Sequence, residues 1–178
     1  MIELIPIEKC VSRDLYEMYQ DIPKEEIGSR NEIFGLNYDD FVKVCNKYIK
    51  EETVMNEKIL TTTNRYILSV GNRLVGELGI RLSLSDYWVN SGSQIFYKIR
   101  RSERNKGYGN AILSYGLKEA KKLGFKMVRI NCDDKNIASK KIILNNGGII
   151  DIASYKTKTG YSSSYIISLE WLDVFFNK

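Results

Sequence analysis

Residues 94–148 read Q-I-F-Y-K-I-R-R-S-E-R-N-K-G-Y-G-N-A-I-L-S-Y-G-L-K-E-A-K-K-L-G-F-K-M-V-R-I-N-C-D-D-K-N-I-A-S-K-K-I-I-L-N-N-G-G. The stretch spells strand, basic glycine loop, helix, strand, helix. Gln94 to Arg100 is the first strand. Gly109 to Leu123 is an amphipathic helix, with Leu113, Gly116, Leu117, Ala120 and Leu123 recurring at three and four residues and lysines on the other face. Gly124 fits the position just past the helix end. Lys126 to Cys132 alternates as a strand with Val128, Ile130 and Cys132 on one side, and a second helix runs from about Asn136 to Asn146.

The loop between the first strand and its helix carries the chemical signal. A helix N-terminus leaves backbone N–H groups unpaired and carries partial positive charge. Gly107 and Gly109 lack a Cβ, so an anion such as phosphate can approach the backbone closely. Lys98, Arg100, Arg101, Arg104 and Lys106 surround the same point. The plain alternative is a solvated basic turn with two convenient glycines. A Walker loop is absent, and Ile112 stands where a dinucleotide fingerprint needs a third small residue.

On the N-terminal side, Ile2 to Ile7 is a strand, Ser12 to Gln20 a short helix capped by Ser12, and 24–37 a loop. Tyr38 to Glu52 is a second helix, and 53–63 is a polar linker. Arg65 to Val70 and Arg73 to Leu84 form a hairpin about Gly71-Asn72. A loop from Asp86 to Ser93 carries Tyr87 and Trp88. Beyond Gly148 come a strand from Ile149 to Ser154, a turn at Thr159-Gly160 and a last strand from Ser163 to Trp171. The order is β-αα-βββ-α-β-α-ββ. It implies an α/β (mixed α+β) domain with a mixed, mostly antiparallel central sheet and helices on both faces. The last strand, with Tyr165 and Ile167, is a candidate edge for a homodimer.

The chain has 178 residues, room for one domain spanning 1–178 with a sizeable core. No apolar run reaches the ~20 residues of a membrane span, and the N-terminus does not read as a signal peptide. Cys10, Cys45 and Cys132 form an odd set without metal spacing, which points to a reducing cytoplasm. The absence of histidine removes His-based triads and argues against a zinc site, so no metal is expected. Residues 1–60 hold 13 acids against 8 Lys/Arg, a net of −5, while 61–178 hold 9 against 19, a net of +10. That asymmetry suits a front that takes a cation and a rear that takes a polyanion.

Arg104-Asn105-Lys106-Gly107-Tyr108-Gly109 matches the Arg/Gln-x-x-Gly-x-Gly/Ala loop of the GNAT superfamily of acyl-CoA-dependent N-acetyltransferases. Asn136-Ile137-Ala138-Ser139 resembles the family's Asn-x-x-Ser element, and Gly147 falls where its ending has glycine. The chain is most similar to the bacterial predicted acetyltransferases that end this element in Asn-Gly-Gly, as Asn146-Gly147-Gly148 do. The resemblance covers 65–155 well, as an acetyl-CoA-binding core, and 1–60 only in element order, as helices on the acceptor side.

The resemblance implies a cosubstrate, acetyl-CoA, in a wedge between the strands before and after the loop. Its pyrophosphate would sit on the N–H groups of Arg104 to Gly109, and its pantetheine would pair with the edge of Tyr97, Lys98 and Ile99. The backbone N–H near Ile99 would stabilise the tetrahedral oxyanion. Asn136 and Ser139 would contact the pantetheine arm, and Asn110 and Asn131 join the binding set. The acceptor would be a primary amine of a small molecule or peptide.

Two parts are left open. The family often places a tyrosine seven residues after the Asn-x-x-Ser asparagine to protonate the departing thiolate; here that residue is Ile143. Tyr97, Tyr108 or water are alternatives, and a thiolate of pKa ~8.5 leaves tolerably without an acid. Glu77, inside a strand, is the candidate base, with Asp133 and Asp134 acting through water as alternatives. Tyr87 and Trp88 could line an acceptor pocket. A CoA-binding sensor without turnover is the competing reading. Nucleic-acid binding is disfavoured, because the cations cluster at one loop without an aromatic platform or recognition helix.

Overall fold

The computed structural model describes residues 1–49, 52–55, 58–82, 93–157 and 160–170, with 52–55 and 58–61 as backbone. The chain begins with β1 (Ile2–Pro6) and α1 (Arg13–Gln20), followed by a small hairpin, β2 (Glu25–Glu26) and β3 (Ser29–Arg30). Next come α2 (Tyr38–Ile49), β4 (Glu52–Met55), β5 (Lys58–Val70), β6 (Arg73–Arg81) and β7 (Ile95–Ile99). The rest is α3 (Tyr108–Lys122), β8 (Met127–Asp133), α4 (Ile137–Asn145), β9 (Ile149–Lys156) and β10 (Tyr161–Ser168).

Local chemistry sets the helix starts. Ser12 accepts the Leu15 N–H through its hydroxyl (3.3 Å) to open α1, and Asn37 does the same for Asp40 (2.9 Å) at α2. Asn136 opens α4 by accepting the Ser139 N–H (3.0 Å). Gly107, at φ +82°, caps α3 in the left-handed conformation.

β1, β5, β6 and β7 pair in that order, all antiparallel, and β4 adds to the far end of β5. A second antiparallel sheet runs β8-β10-β9. The two sheets meet at the start of β7. There the Gln94 N–H donates to the Arg129 carbonyl (2.8 Å), the Gln94 side-chain oxygen accepts the Arg129 N–H (2.7 Å), and the Ser93 hydroxyl accepts the Asn131 N–H (3.2 Å). From there on, β7 pairs with β6 alone among the described residues.

Side chains alternate across the sheet and feed two cores. Leu68, Leu78 and Ile80 pack with Ile112, Leu113 and Leu117 of α3, Val128 and Ile130 of β8, and Ile143 of α4. Ile67, one residue from Leu68, goes the other way and joins Leu15, Met18 and Tyr19 of α1 and Phe41 and Cys45 of α2. The helices therefore lie on both faces, as the element order implies.

Several boundaries differ from the sequence reading. The 53–63 linker is extended chain: Thr53 to Met55 lie in β4 and Lys58 to Thr63 in β5. Its threonines are β-branched strand formers, and their polarity hides the strand from a hydrophobic pattern. The 24–37 loop contains the β2–β3 hairpin, turning at Gly28 with φ +74°. α2 is described as Tyr38–Ile49, and Glu52, read as its last residue, begins β4. In α3, Leu113, Gly116, Leu117 and Ala120 face inward as read and Ile112 joins them, while Leu123 at the helix end is half exposed. The last strand is not an edge: β10 lies between β8 and β9, which buries Tyr165 and Ile167. Tyr87, Trp88, Thr159 and Trp171 lie outside the described residues. No helix among the described residues is long and apolar enough to cross a membrane.

Gly116 lets α3 lie close on the sheet, since a Cβ there would stand 2.3 Å from the Leu78 Cδ1. Gly116→Val is expected to cost about 1–3 kcal/mol through overpacking. It should appear as a lower urea midpoint with an unchanged far-ultraviolet spectrum.

Candidate functional site

A cleft of about 510 Å³ opens where β7 and β8 part company. Tyr97, Lys98, Ile99, Arg104, Asn105 and Gly109 line one lip. Asn136, Ala138, Ser139 and Ile142, from the start of α4, line the other, and Glu26, Ile27 and Ser29 of the hairpin complete it. Eight of the expected cofactor residues therefore meet in one place. Asn110 does not line it: its side-chain oxygen accepts from Asn145 and Asn146, tying α3 to α4. Asn131 sits within β8 and also lies outside the lining. Lys106, Gly107 and Tyr108 border the cleft at the head of α3 without lining it.

The register of β7 decides what its free edge offers. The Arg100 N–H reaches the Val75 carbonyl (3.0 Å), and the Arg81 N–H reaches the Gln94 carbonyl (2.8 Å). Hydrogen-bonded pairs alternate in an antiparallel ladder, so Phe96 and Lys98 also turn their backbone groups toward β6. Ile95, Tyr97 and Ile99 then turn theirs to the open edge. The Ile99 carbonyl is reached there by the Arg104 Nε (3.1 Å). Gly76 permits this geometry opposite Ile99, because a Cβ on it would come 2.4 Å from the Lys98 carbonyl oxygen.

Beyond Ile99 the chain enters the glycine loop. The Arg104 N–H bonds back to the Arg101 carbonyl (3.3 Å), so the free donors begin one residue later than expected. The N–H groups of Asn105, Lys106 and Gly107 have no acceptor among the described residues, and Tyr108 and Gly109 head a 15-residue helix. Asn105 itself has φ +61°, a conformation asparagine tolerates better than most residues. A run of bare donors at a helix N-terminus suits an anion.

Three cations of the loop, Arg100, Arg104 and Lys106, are paired within the protein. Arg104 makes a bidentate pair with Glu26 (2.7 and 2.8 Å). Arg100 pairs with Asp21 (2.8 Å), which also accepts the Ser102 hydroxyl and N–H. Glu103 takes Lys106 (2.8 Å) and Arg73 (2.5 Å) together. Backbone donors thus offer an anion partners that are not already engaged, while these three side chains fasten the loop to its neighbours.

The hairpin was not legible as part of the site. Besides the Glu26–Arg104 pair, its Ile27 carbonyl accepts from the Asn136 side chain (3.1 Å), and its Arg30 carbonyl accepts from Lys98 Nζ (2.7 Å). It therefore touches both lips. The only signal in the sequence was a lone glycine, Gly28, between Ile27 and Ser29.

Glu77 faces the α1/α2 side of β6 and is 1% exposed. Arg65 Nη1 holds its carboxylate at 2.5 Å, and Lys98 Nζ lies at 3.8 Å. Burial pushes the carboxyl up, but Arg65 and Lys98 outweigh it and keep Glu77 below the usual range. Arg65 stacks over the Tyr48 ring (3.7 Å), and the Tyr48 hydroxyl donates to Glu32 (2.5 Å). Glu77 adjoins the cleft through Lys98 rather than lining it. Asp133 accepts the Lys135 N–H (2.8 Å), and Asp134 holds the Ser163 hydroxyl (2.7 Å) and Lys140 (3.0 Å), so both support the turn into α4.

A carboxyl held low in the fold stabilises it above its unfolded value of 4.5, and that contribution is lost as pH falls through the lower folded value. Glu77→Gln also strands the Arg65 guanidinium. The substitution is expected to cost about 3–5 kcal/mol at pH 7, with the gap from the wild type closing in urea titrations taken below pH 4.

Neither a protein-family model nor a curated protein matches the chain. Solved structures do. The aminoglycoside acetyltransferase AAC(6')-Ib in complex with coenzyme A and kanamycin matches over 100% of both chains, with a TM-score of 0.69 at 11% identity. The microcin C7 self-immunity acetyltransferase MccE, in complex with acetyl-CoA and AMP, matches over 94% of this chain and 92% of its own, at 0.66 and 18%. Mutant forms of the spermidine/spermine N-acetyltransferase SpeG from Vibrio cholerae match over 98% of each chain, at 0.63 and 11%. With its strands parted at the head of a glycine-capped helix, the chain has the GNAT acetyltransferase fold.

Proposed function

We propose that the protein is an acetyl-CoA-dependent N-acetyltransferase that transfers an acetyl group to a primary amine of a small molecule or peptide. The observation that carries this reading is an interrupted line of backbone groups without a partner among the described residues: the outward groups of Tyr97 and the Ile99 N–H on the free edge of β7, then, past the paired residues 100–104, the N–H groups of Asn105 to Gly109. An amide-bearing arm ending in a pyrophosphate complements that line: the arm extends the sheet edge and the phosphates meet the helix N-terminus. Asn136 and Ser139 face the arm from the other lip.

In the proposed reaction a neutral amine attacks the thioester carbon directly. The carbonyl oxygen becomes an oxyanion that the Ile99 N–H receives, and the C–S bond then breaks. An alkyl ammonium near pKa ~10.4 first gives up a proton. Glu77 is the proposed acceptor, working beside Lys98, although two cationic partners make it a weak base. The fold relatives that act on an aminoglycoside and a polyamine support an amine acceptor as a class. The acidic N-terminal third, which packs as α1 and α2 on the Lys98 side, is the proposed acceptor side, with 65–155 as the cofactor core. A cytoplasmic location and homodimerisation belong to the same proposal. Ile143 favours one competing reading, a CoA-binding module without turnover.

Calorimetry with acetyl-CoA, followed by a thiol-release assay over polyamines, aminoglycosides, amino acids and N-terminal peptides, tests the reading. Binding with amine-dependent release of free thiol is expected. Binding without release would favour the sensor, and no binding would end both. Gly107→Val forces a β-branched residue to φ +82° beside open space. It should weaken acetyl-CoA at least tenfold, read as Kd by calorimetry. In a pH–rate profile, Glu77→Gln should lower the rate most on the acid limb; an unchanged profile removes it as the base.

A further inference from the structure

The proposed reaction lacks a proton donor for the sulfur. Ile143, seven residues after Asn136, is fully buried in the core against Gly148 and has no proton to give. The cleft contains a different candidate on the opposite lip. Tyr97 lines it from β7, and its hydroxyl stands 3.0 Å from the Ser139 hydroxyl on α4. This is a side-chain hydrogen bond that crosses directly between the two lips. Ser139 is held in place by its own N–H on Asn136.

We propose that Tyr97 is the general acid that protonates the departing CoA sulfur, with Ser139 as its positioning residue. The inference rests on acetyl-CoA occupying the cleft. The alternation of β7 supports it. Tyr97 projects to the α4 side, where it packs against the Leu78 core, while Lys98 projects to the Glu77 side with α1 and α2. Leaving-group chemistry and amine chemistry are thereby set on opposite faces of one strand. An arm lying on the β7 edge and passing between the lips brings its thioester between them.

The other donors fit less well. Tyr108 packs against the core at the head of α3 and does not line the cleft. The Cys132 thiol is directed to the Asp133 and Asn136 carbonyls. Burial pushes the Tyr97 hydroxyl up to about 12, against the lowering effect of the Ser139 hydrogen bond, so it is protonated at neutral pH.

The step balances as follows. As the tetrahedral intermediate collapses, the C–S bonding pair goes to sulfur and the Tyr97 O–H proton follows it, giving free thiol and tyrosinate. The Ser139 hydroxyl donates to the tyrosinate oxygen, and Tyr97 recovers a proton from solvent. The ammonium acceptor has meanwhile lost two protons to become an amide, so the turnover releases one.

Tyr97→Phe keeps the ring and removes the acid. It is expected to lower kcat with acetyl-CoA about a hundredfold while leaving the calorimetric Kd for CoA within threefold. With thiophenyl acetate, whose aryl thiolate leaves without a proton, the loss should be under threefold. Ser139→Ala should lower kcat about tenfold with the same contrast between thioesters, which keeps the test alive if the tyrosine variant folds poorly. Equal losses with both thioesters, or a Kd for CoA that weakens in parallel with kcat, would overturn the assignment in favour of packing. A kcat within threefold of the wild type would overturn it outright. A wild-type protein that binds no acetyl-CoA would instead show that the cofactor reading itself had failed.

Discussion

The structure depends on a strand that, among the described residues, is paired along its length on one side only. β7 satisfies its inner backbone groups on β6, and on the other side it holds the second sheet only at its start, through Gln94 and Ser93. Unpaired backbone N–H and C=O groups away from water are costly, so an open edge of this kind persists where water or a ligand can reach it. The α3 crossover maintains the gap. It carries the chain over the sheet with Gly116 against Leu78, and returns it as β8 with α4 already turning away at Asn136. The cleft is the space left when two sheets share one junction instead of a full ladder.

Charge plays a different part from the one composition suggests. The net of +10 in the last two thirds of the chain looks like a device for attracting phosphates. At the loop itself, Arg100, Arg104 and Lys106 are each closed onto a carboxylate. Two of those carboxylates, Asp21 and Glu26, come from the acidic N-terminal third. The opposite charges of the two parts therefore join them, and the helix terminus supplies what an anion would meet.

The core of the fold was legible because residues 94–148 state it several times over. The period changes from two to 3.6 and back, Gly107 and Gly124 take the positive φ angles their places demand, and Val128, Ile130 and Cys132 point inward as the alternation says. What the sequence obscured has physical reasons. A strand that runs through Thr61-Thr62-Thr63 carries little apolar signal. A hairpin of two-residue strands is held by contacts distant in sequence, Glu26 to Arg104 and Ile27 to Asn136, which no local pattern encodes. The Ser139 partner of Tyr97 is likewise 42 residues away. Motifs name the residues of a site, but cross-lip pairs arise only from the way the strands part.

The β2–β3 hairpin has a mechanical consequence. It is fixed to one lip by Arg104 and Lys98 and to the other by Asn136, and it is continuous with the helices of the opposite face. Any chain that enters between the lips and spreads them loads these bonds together. The hairpin acts as a tie across the cleft, so its fastenings and the width of the gap cannot change independently.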